Sequence, residues 1–155
     1  MDRVFHTITQ RRLILPGAVL VWLLFVASFL MPVTTGIDAT GFAVFWQYAS
    51  EIWDLPDYWR QIQREPSAIL ASTFPSTNAL VFIAPVVLFR WPRWSGWLGG
   101  FLTFGGLVPL FLFFEMVIRN ELRVGFYCWV ISIFLMALLC LLDWTRQRRS
   151  RHRKS

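Results

Sequence analysis

The sequence predicts an all-α membrane protein with four transmembrane helices and a short amphipathic surface helix in the first extracytoplasmic loop. The chain has 155 residues, of which 56% are hydrophobic and only 15% are charged, whereas soluble domains carry a larger charged share. Four stretches contain no Asp, Glu, Lys or Arg, and each can cross a hydrocarbon layer of roughly 30 Å as a helix. These predicted spans cover about 13–31, 68–89, 94–114 and 124–142.

The connections between the spans are too short to hold a second folded domain. The longest one covers residues 32–67, and chains below about 40 residues usually need metals or disulfides to fold alone. We therefore expect residues 1–155 to form a single integral membrane domain, which ends in a basic cytoplasmic tail at residues 143–155.

The first predicted span follows a basic flank, which is also typical of a secretory signal peptide. Val26, Ala27 and Ser28 offer a small-residue cleavage site. Apolar residues continue to Met31, beyond that site, and loss of the span would move the basic C-terminal end to the opposite side of the membrane. A retained helix is therefore favoured over a cleaved leader.

The distribution of Lys and Arg predicts the orientation, because cytoplasmic loops retain these residues. Eleven lie on the side of the two termini and of the connection at residues 90–93, whereas four lie on the other side. Both termini are therefore expected in the cytoplasm. The excess of Arg over Lys is typical of a GC-rich genome, which favours a bacterial origin and hence a bacterial inner membrane. Anionic lipid headgroups are the expected partners of the tail, and nucleic acid is not.

Aromatic residues of the outer loop recur at helical spacing, which predicts a short helix with a largely aromatic face. Asp38 or Thr40 can cap its start. The helix can lie on the membrane as a lid over the bundle, or its face can dock a protein, a lipid or a pigment-like ligand. The candidate partner surface comprises Phe42, Phe45, Trp46, Ile52 and Trp53.

Small residues predict where the helices approach closely, since hydrocarbon offers no hydrophobic driving force between helices. The third span carries Gly96 and Gly100, and the second span carries Ser72 and Ser76, each pair at a spacing of four. We expect these two spans to touch, although the same small residues also suit a partner in another chain.

Prolines interrupt the predicted spans, and broken helices build the sites of many transporters. Pro75 and Pro85 lie inside the second span and Pro109 inside the third, whereas Pro16 is expected in the first turn of its helix, where a proline costs little. Thr73 and Asn78 are the candidate residues of a polar path through the bundle.

The sequence offers no constellation for catalysis, for a metal ion or for a cofactor. His6 and His152, the two histidines, lie near the ends of the chain, so the spans hold no imidazole that acts as a base or a ligand. The spans also hold no Asp, Glu, Lys or Arg for ion coupling. We therefore expect no enzyme activity, no metal and no cofactor.

These exclusions predict a non-catalytic polytopic membrane protein that acts as a subunit or assembly partner of a larger inner-membrane complex. Its partners are then the lipid bilayer and a protein in the membrane. The first alternative is a small transporter or channel-like protein that uses the kinked second and third spans. The second is an immunity-type membrane protein, which fits the size and topology but has no motif to support it.

Overall fold

The computed structural model describes the backbone of residues 2–33, 40–43, 45, 46, 50, 73–112, 114, 118 and 121–152, and their side chains from Ile14 onward except at positions 112, 151 and 152. This described part is almost entirely helical and contains no strand. The all-α prediction is therefore confirmed for these residues.

Long helices account for most of the described residues, and they are α1 (Asp2–Ser28), α2 (Thr73–Arg90), α3 (Ser95–Leu112) and α4 (Val124–His152). A 3₁₀ turn, Pro92–Trp94, joins α2 to α3. Two helical stretches, Thr73–Arg90 and Val124–Ser150, are long and apolar enough to cross a membrane, while the apolar part of α1, Ile14–Ser28, is shorter. The membrane location thus has support from two helices, and the number of crossings stays a prediction.

Two helices extend well beyond the uncharged stretches that predicted them. α1 begins at Asp2, so Pro16 lies inside the helix and the expectation that it occupies the first turn was wrong. α4 continues past Leu142 to His152. The reason is that a charged residue ends an apolar run without ending a helix. Both extensions lack Gly and Pro, and their Arg and Gln residues have good helix propensity.

The helices form a ring in which α1 contacts α2, α2 contacts α3, α3 contacts α4, and α4 returns to α1. α2 and α4 also meet across the ring. Each helix contributes to one shared apolar cluster, whose fully buried members include Phe25, Val81, Leu102, Ile133 and Met136. The core of the described residues therefore lies between α1, α2, α3 and α4.

The outer faces of the helices are also apolar. Leu20 on α1 is more than 70% exposed, and so are Trp97 and Phe111, which lie near the two ends of α3. A soluble monomer rarely exposes so much apolar surface. An exterior of this kind suits contact with lipid, which agrees with the apolar character of α2 and α4.

Candidate interaction site

Two rings of the predicted partner surface, Phe42 and Trp46, lie exposed and stacked on each other. Their centroids are 6.4 Å apart with an interplanar angle of 19°, and their exposed fractions are 57% and 62%. Residues 41–43 and 45–46 are helical, so the two rings are one turn apart on the same face. We refer to Phe42 and Trp46 as the aromatic pair.

Phe45 belongs to the same predicted surface but faces the bundle. It is half-buried, and its ring contacts Phe29 with centroids 5.6 Å apart and an interplanar angle of 74°. Phe29 in turn contacts Phe82 of α2 at 6.2 Å. Phe45 therefore anchors the segment. Ile52 and Trp53, the remaining members of the predicted surface, lie outside the described residues.

Backbone hydrogen bonds fix the segment to the end of α1. The Gly41 N–H donates to the Met31 carbonyl at 3.1 Å, and the Phe42 N–H donates to the Phe29 carbonyl at 2.9 Å. A Cβ atom at Gly41 would lie 2.9 Å from the Ser28 carbonyl oxygen, so this close approach requires glycine. The aromatic pair is thus held at a defined place on the bundle.

The start of the segment has the hydrogen bond of an N-cap. The Thr40 hydroxyl accepts a hydrogen bond from the Ala43 N–H at 3.4 Å, which is the role that the sequence offered to this residue. Thr40 also forms an isolated antiparallel bridge with Pro32. Asp38, the other capping candidate, lies outside the described residues.

The stretch after α1 also holds the beginning of α4. The Arg123 N–H donates to the Val33 carbonyl at 2.9 Å, and the Gly125 N–H donates to the Pro32 carbonyl at 3.2 Å. The same short stretch therefore connects the segment of the aromatic pair with two helices of the bundle.

Asn78, a candidate for the polar path, is buried and bonded to another helix. Its side chain is 3% exposed, and its Oδ1 accepts a hydrogen bond from Trp129 Nε1 at 2.8 Å. The Trp129 ring stacks on Phe74 with centroids 5.6 Å apart and an interplanar angle of 10°. Asn78 therefore joins α2 to α4. Thr73, the other candidate, is half-buried at the start of α2.

Glycines of α3 bring this helix close to α4. A Cβ atom at Gly96 would lie 2.6 Å from the ring of Trp144, and one at Gly99 would lie 2.8 Å from Leu141. A Cβ atom at Gly100 would meet no described atom within 4 Å. Of the predicted pair Gly96 and Gly100, it is Gly96 that packs against a neighbouring helix, and this helix is α4.

α2 and α3 are in contact, and a glycine again permits it. A Cβ atom at Gly105 would collide with the Thr77 side chain, which is buried. Ser76, which was predicted for this contact, is exposed, and Ser72 lies outside the described residues. Gly105 and Thr77 therefore form one close contact between these two helices.

The sequence analysis missed a polar cluster at the opposite end of the bundle. Asp143 is buried, and Gln147 Nε2 donates both to Asp143 Oδ2 at 2.5 Å and to the Pro92 carbonyl at 2.9 Å. The Ser95 hydroxyl donates to the same carbonyl at 2.8 Å. The spacing of four between Asp143 and Gln147 was a usable signal. The Pro92 carbonyl could not be predicted in this way, because it lies in a turn that is distant along the chain.

The polar groups in the described interior are hydrogen-bonded, some within one helix and some between helices. Within the described ranges, every buried side-chain nitrogen or oxygen has a hydrogen-bond partner. Among the same residues, no three His, Cys, Asp or Glu side chains are grouped so that they could hold a metal ion.

Comparisons with known protein families, with curated proteins and with solved structures found no match to this chain. A function for the protein therefore rests on its own residues, and the aromatic pair is the feature outside the bundle that they define best.

Proposed function

We propose that the chain crosses the membrane four times and keeps both termini in the cytoplasm of a bacterial cell, in the inner membrane. The four helices contain 27, 18, 18 and 29 residues. At roughly 1.5 Å per residue, the shortest is about 27 Å long, which is close to the hydrocarbon thickness of about 30 Å. The apolar outer faces support contact with lipid, and the excess of Lys and Arg on the side of the termini supports the orientation.

We propose further that the protein is a non-catalytic subunit or assembly partner of a larger membrane complex, and that the aromatic pair docks a membrane protein. The observation that carries this proposal is the exposure of two large stacked rings on a segment that is otherwise anchored. A segment that only sealed the bundle would turn its largest rings inward, as Phe45 does. Aromatic rings are enriched at interfaces because they bury much area with few rotatable bonds.

Purification in a mild detergent, followed by mass spectrometry of the chains that copurify, tests the docking role. We expect the wild-type protein to migrate within a larger assembly, and we expect the double variant Phe42→Ala/Trp46→Ala to migrate alone. Circular dichroism of the variant should remain helical, because both rings are exposed and contribute little to the core.

A matched control removes two exposed rings elsewhere. Phe89 on α2 and Phe104 on α3 are exposed and belong to other helices than the segment of the aromatic pair, so Phe89→Ala/Phe104→Ala should leave the assembly intact. A wild-type protein that migrates alone contradicts the proposal. So does an assembly that survives the loss of the aromatic pair.

A further inference from the structure

An apolar groove of about 610 Å³ lies between α2 and α3. Its walls include Ile83 and Val87 of α2 and Trp97 and Phe101 of α3, and Trp91 and Trp94 lie at the end where the 3₁₀ turn joins the helices. The volume is within the range of roughly 300–1,000 Å³ that small-ligand sites occupy. Most of these side chains are exposed, so the groove opens to the surroundings of the bundle.

The charge beside the groove is positive. Arg90 and Arg93 flank Trp91 in the chain, and both are exposed. Arg148, at the same end of the bundle, lies instead over the ring of Trp144 at 4.4 Å. Arg90 and Arg93 are therefore the exposed cations that the turn itself places next to the groove.

We infer that this groove seats an anionic phospholipid, with an acyl chain along the apolar walls and the phosphate beside Arg90 and Arg93. Tryptophan prefers the level of the lipid headgroups, and Trp91, Trp94 and Trp97 lie together at the end of the groove that carries the two arginines. An uncharged amphiphile would fill the groove but would not bind the two arginines. The amphiphile that complements both parts is therefore anionic.

The inference rests on the membrane location of the proposed function and is independent of the docking role. The aromatic pair follows the end of α1, whereas Arg90 ends α2 and Arg93 lies in the 3₁₀ turn after it, where the Pro92 carbonyl binds Gln147. Variants at one place can therefore be tested without disturbing the other.

Native mass spectrometry of the full chain tests the inference, with phosphatidylglycerol and phosphatidylcholine of identical acyl chains as probes. We expect one phosphatidylglycerol to bind at least about tenfold more tightly than phosphatidylcholine. Arg90→Gln/Arg93→Gln should weaken the binding of phosphatidylglycerol by about tenfold or more, because each cation near an anionic headgroup contributes a factor of about five. Binding of phosphatidylcholine should stay unchanged.

The matched control is Arg146→Gln/Arg149→Gln, which removes two exposed cations from the end of α4. It should change the affinity for phosphatidylglycerol by less than about threefold, since neither cation belongs to the two helices or the turn that form the groove. Equal loss in the control and in the groove variant would show general attraction to a basic protein. Equal binding of the two lipids to the wild-type protein would also overturn the inference.

A third variant tests the apolar walls. Ile83 is half-exposed inside the groove, so Ile83→Trp should fill the space and weaken binding of both lipids while the protein stays helical. Soluble glycerol phosphate should not displace the bound lipid, because it lacks the acyl chain. Displacement by glycerol phosphate, or unchanged lipid binding in Ile83→Trp, would contradict a lipid seated in the groove.

If Phe42→Ala/Trp46→Ala leaves an assembly intact while the lipid preference persists, the docking role fails and the lipid site stands. If Phe42→Ala/Trp46→Ala releases the protein from the assembly while the wild-type protein binds the two lipids equally, the lipid site alone is rejected.

Discussion

α4 is held by α3 and by α2 in two different ways. Against α3 the contact depends on absence of side chains, because Gly96 and Gly99 let Trp144 and Leu141 approach the α3 backbone. Against α2 the contact includes one partly buried hydrogen bond from Trp129 to Asn78, and the Trp129 ring also stacks on Phe74.

The difference between these interfaces determines how each can fail. In lipid, helices gain stability from close packing and from a few interhelical hydrogen bonds. A glycine interface fails when an atom is added, because the side chains of the neighbouring helix already occupy the space. A hydrogen-bonded interface fails when a partner is removed, because the remaining polar group stays buried. The first failure is expected to cost more than the second.

The largest effect is expected for Gly99→Leu. Its Cβ atom would lie 2.8 Å from Leu141 and 3.2 Å from the Ala137 carbonyl oxygen, so α3 must move away from α4. Overpacking of this kind costs about 3 kcal/mol of unfolding free energy. Denaturation in mixed micelles, followed by circular dichroism, measures the loss.

The adjacent residue provides the control for this variant. Gly100→Leu introduces the same side chain where a Cβ atom meets no described atom within 4 Å. It should change stability by less than about 1 kcal/mol and can raise it, since leucine has the better helix propensity. If the two variants lose equal stability, the α3–α4 contact described above is wrong.

A smaller effect is expected for Asn78→Leu, which leaves the indole N–H of Trp129 without its acceptor. The unfolding free energy should fall by about 2 kcal/mol, the cost of an unpaired buried donor. Trp129→Phe and the double variant complete a cycle, and the coupling between the two residues should be about 1 kcal/mol. Additive losses would mean that the hydrogen bond contributes nothing.

Asn78→Leu also separates the docking proposal from transport. A polar path through Thr73 and Asn78 requires flux across liposomes that contain only this chain, and that flux should vanish in the variant. Because Asn78 is bonded to Trp129, we expect no flux from the wild-type protein. Flux that depends on Asn78 would instead favour the transporter alternative.

The smallest effect is expected for Gln147→Leu, at the junction of α4 with the 3₁₀ turn. The variant removes the hydrogen bonds of Gln147 to Asp143 and to the Pro92 carbonyl. Asp143 is buried, but Gln147 is half-buried and both hydrogen bonds are only partly buried, so water can replace part of the lost donor and a loss of about 1 kcal/mol is expected. Hydrogen exchange should increase at the turn first, and Gln147→Glu/Asp143→Asn should retain part of the contact.

The sequence predicts the helices well because an uncharged run of this length has few alternatives to a helix. It also identifies Gly96 as a packing residue and Thr40 as a cap, since both roles depend on local spacing. The ends of α1 and α4 were harder to predict. An apolar run marks where lipid contact ends, whereas the helix continues as long as the residues tolerate it.

The partners of the polar residues could not be read from spacing. Asn78 was expected to line a path, and its partner Trp129 lies 51 positions away in the chain. Which helices meet, and at what height, depends on the packing of the whole ring. The same reason hides the contact between Gln147 and Pro92, whose separation is 55 positions.

The unbroken course of α4 has a mechanical consequence. Its 29 residues form a helix roughly 44 Å long, so Arg146 and Arg149 lie on a stiff helix and not on a flexible tail. A flat anionic surface can contact only the guanidinium groups on the side of the helix that faces it. A flexible tail would let all of them bind to that surface. A displacement of the arginine end of α4 is therefore transmitted along the helix to Trp129, near its other end.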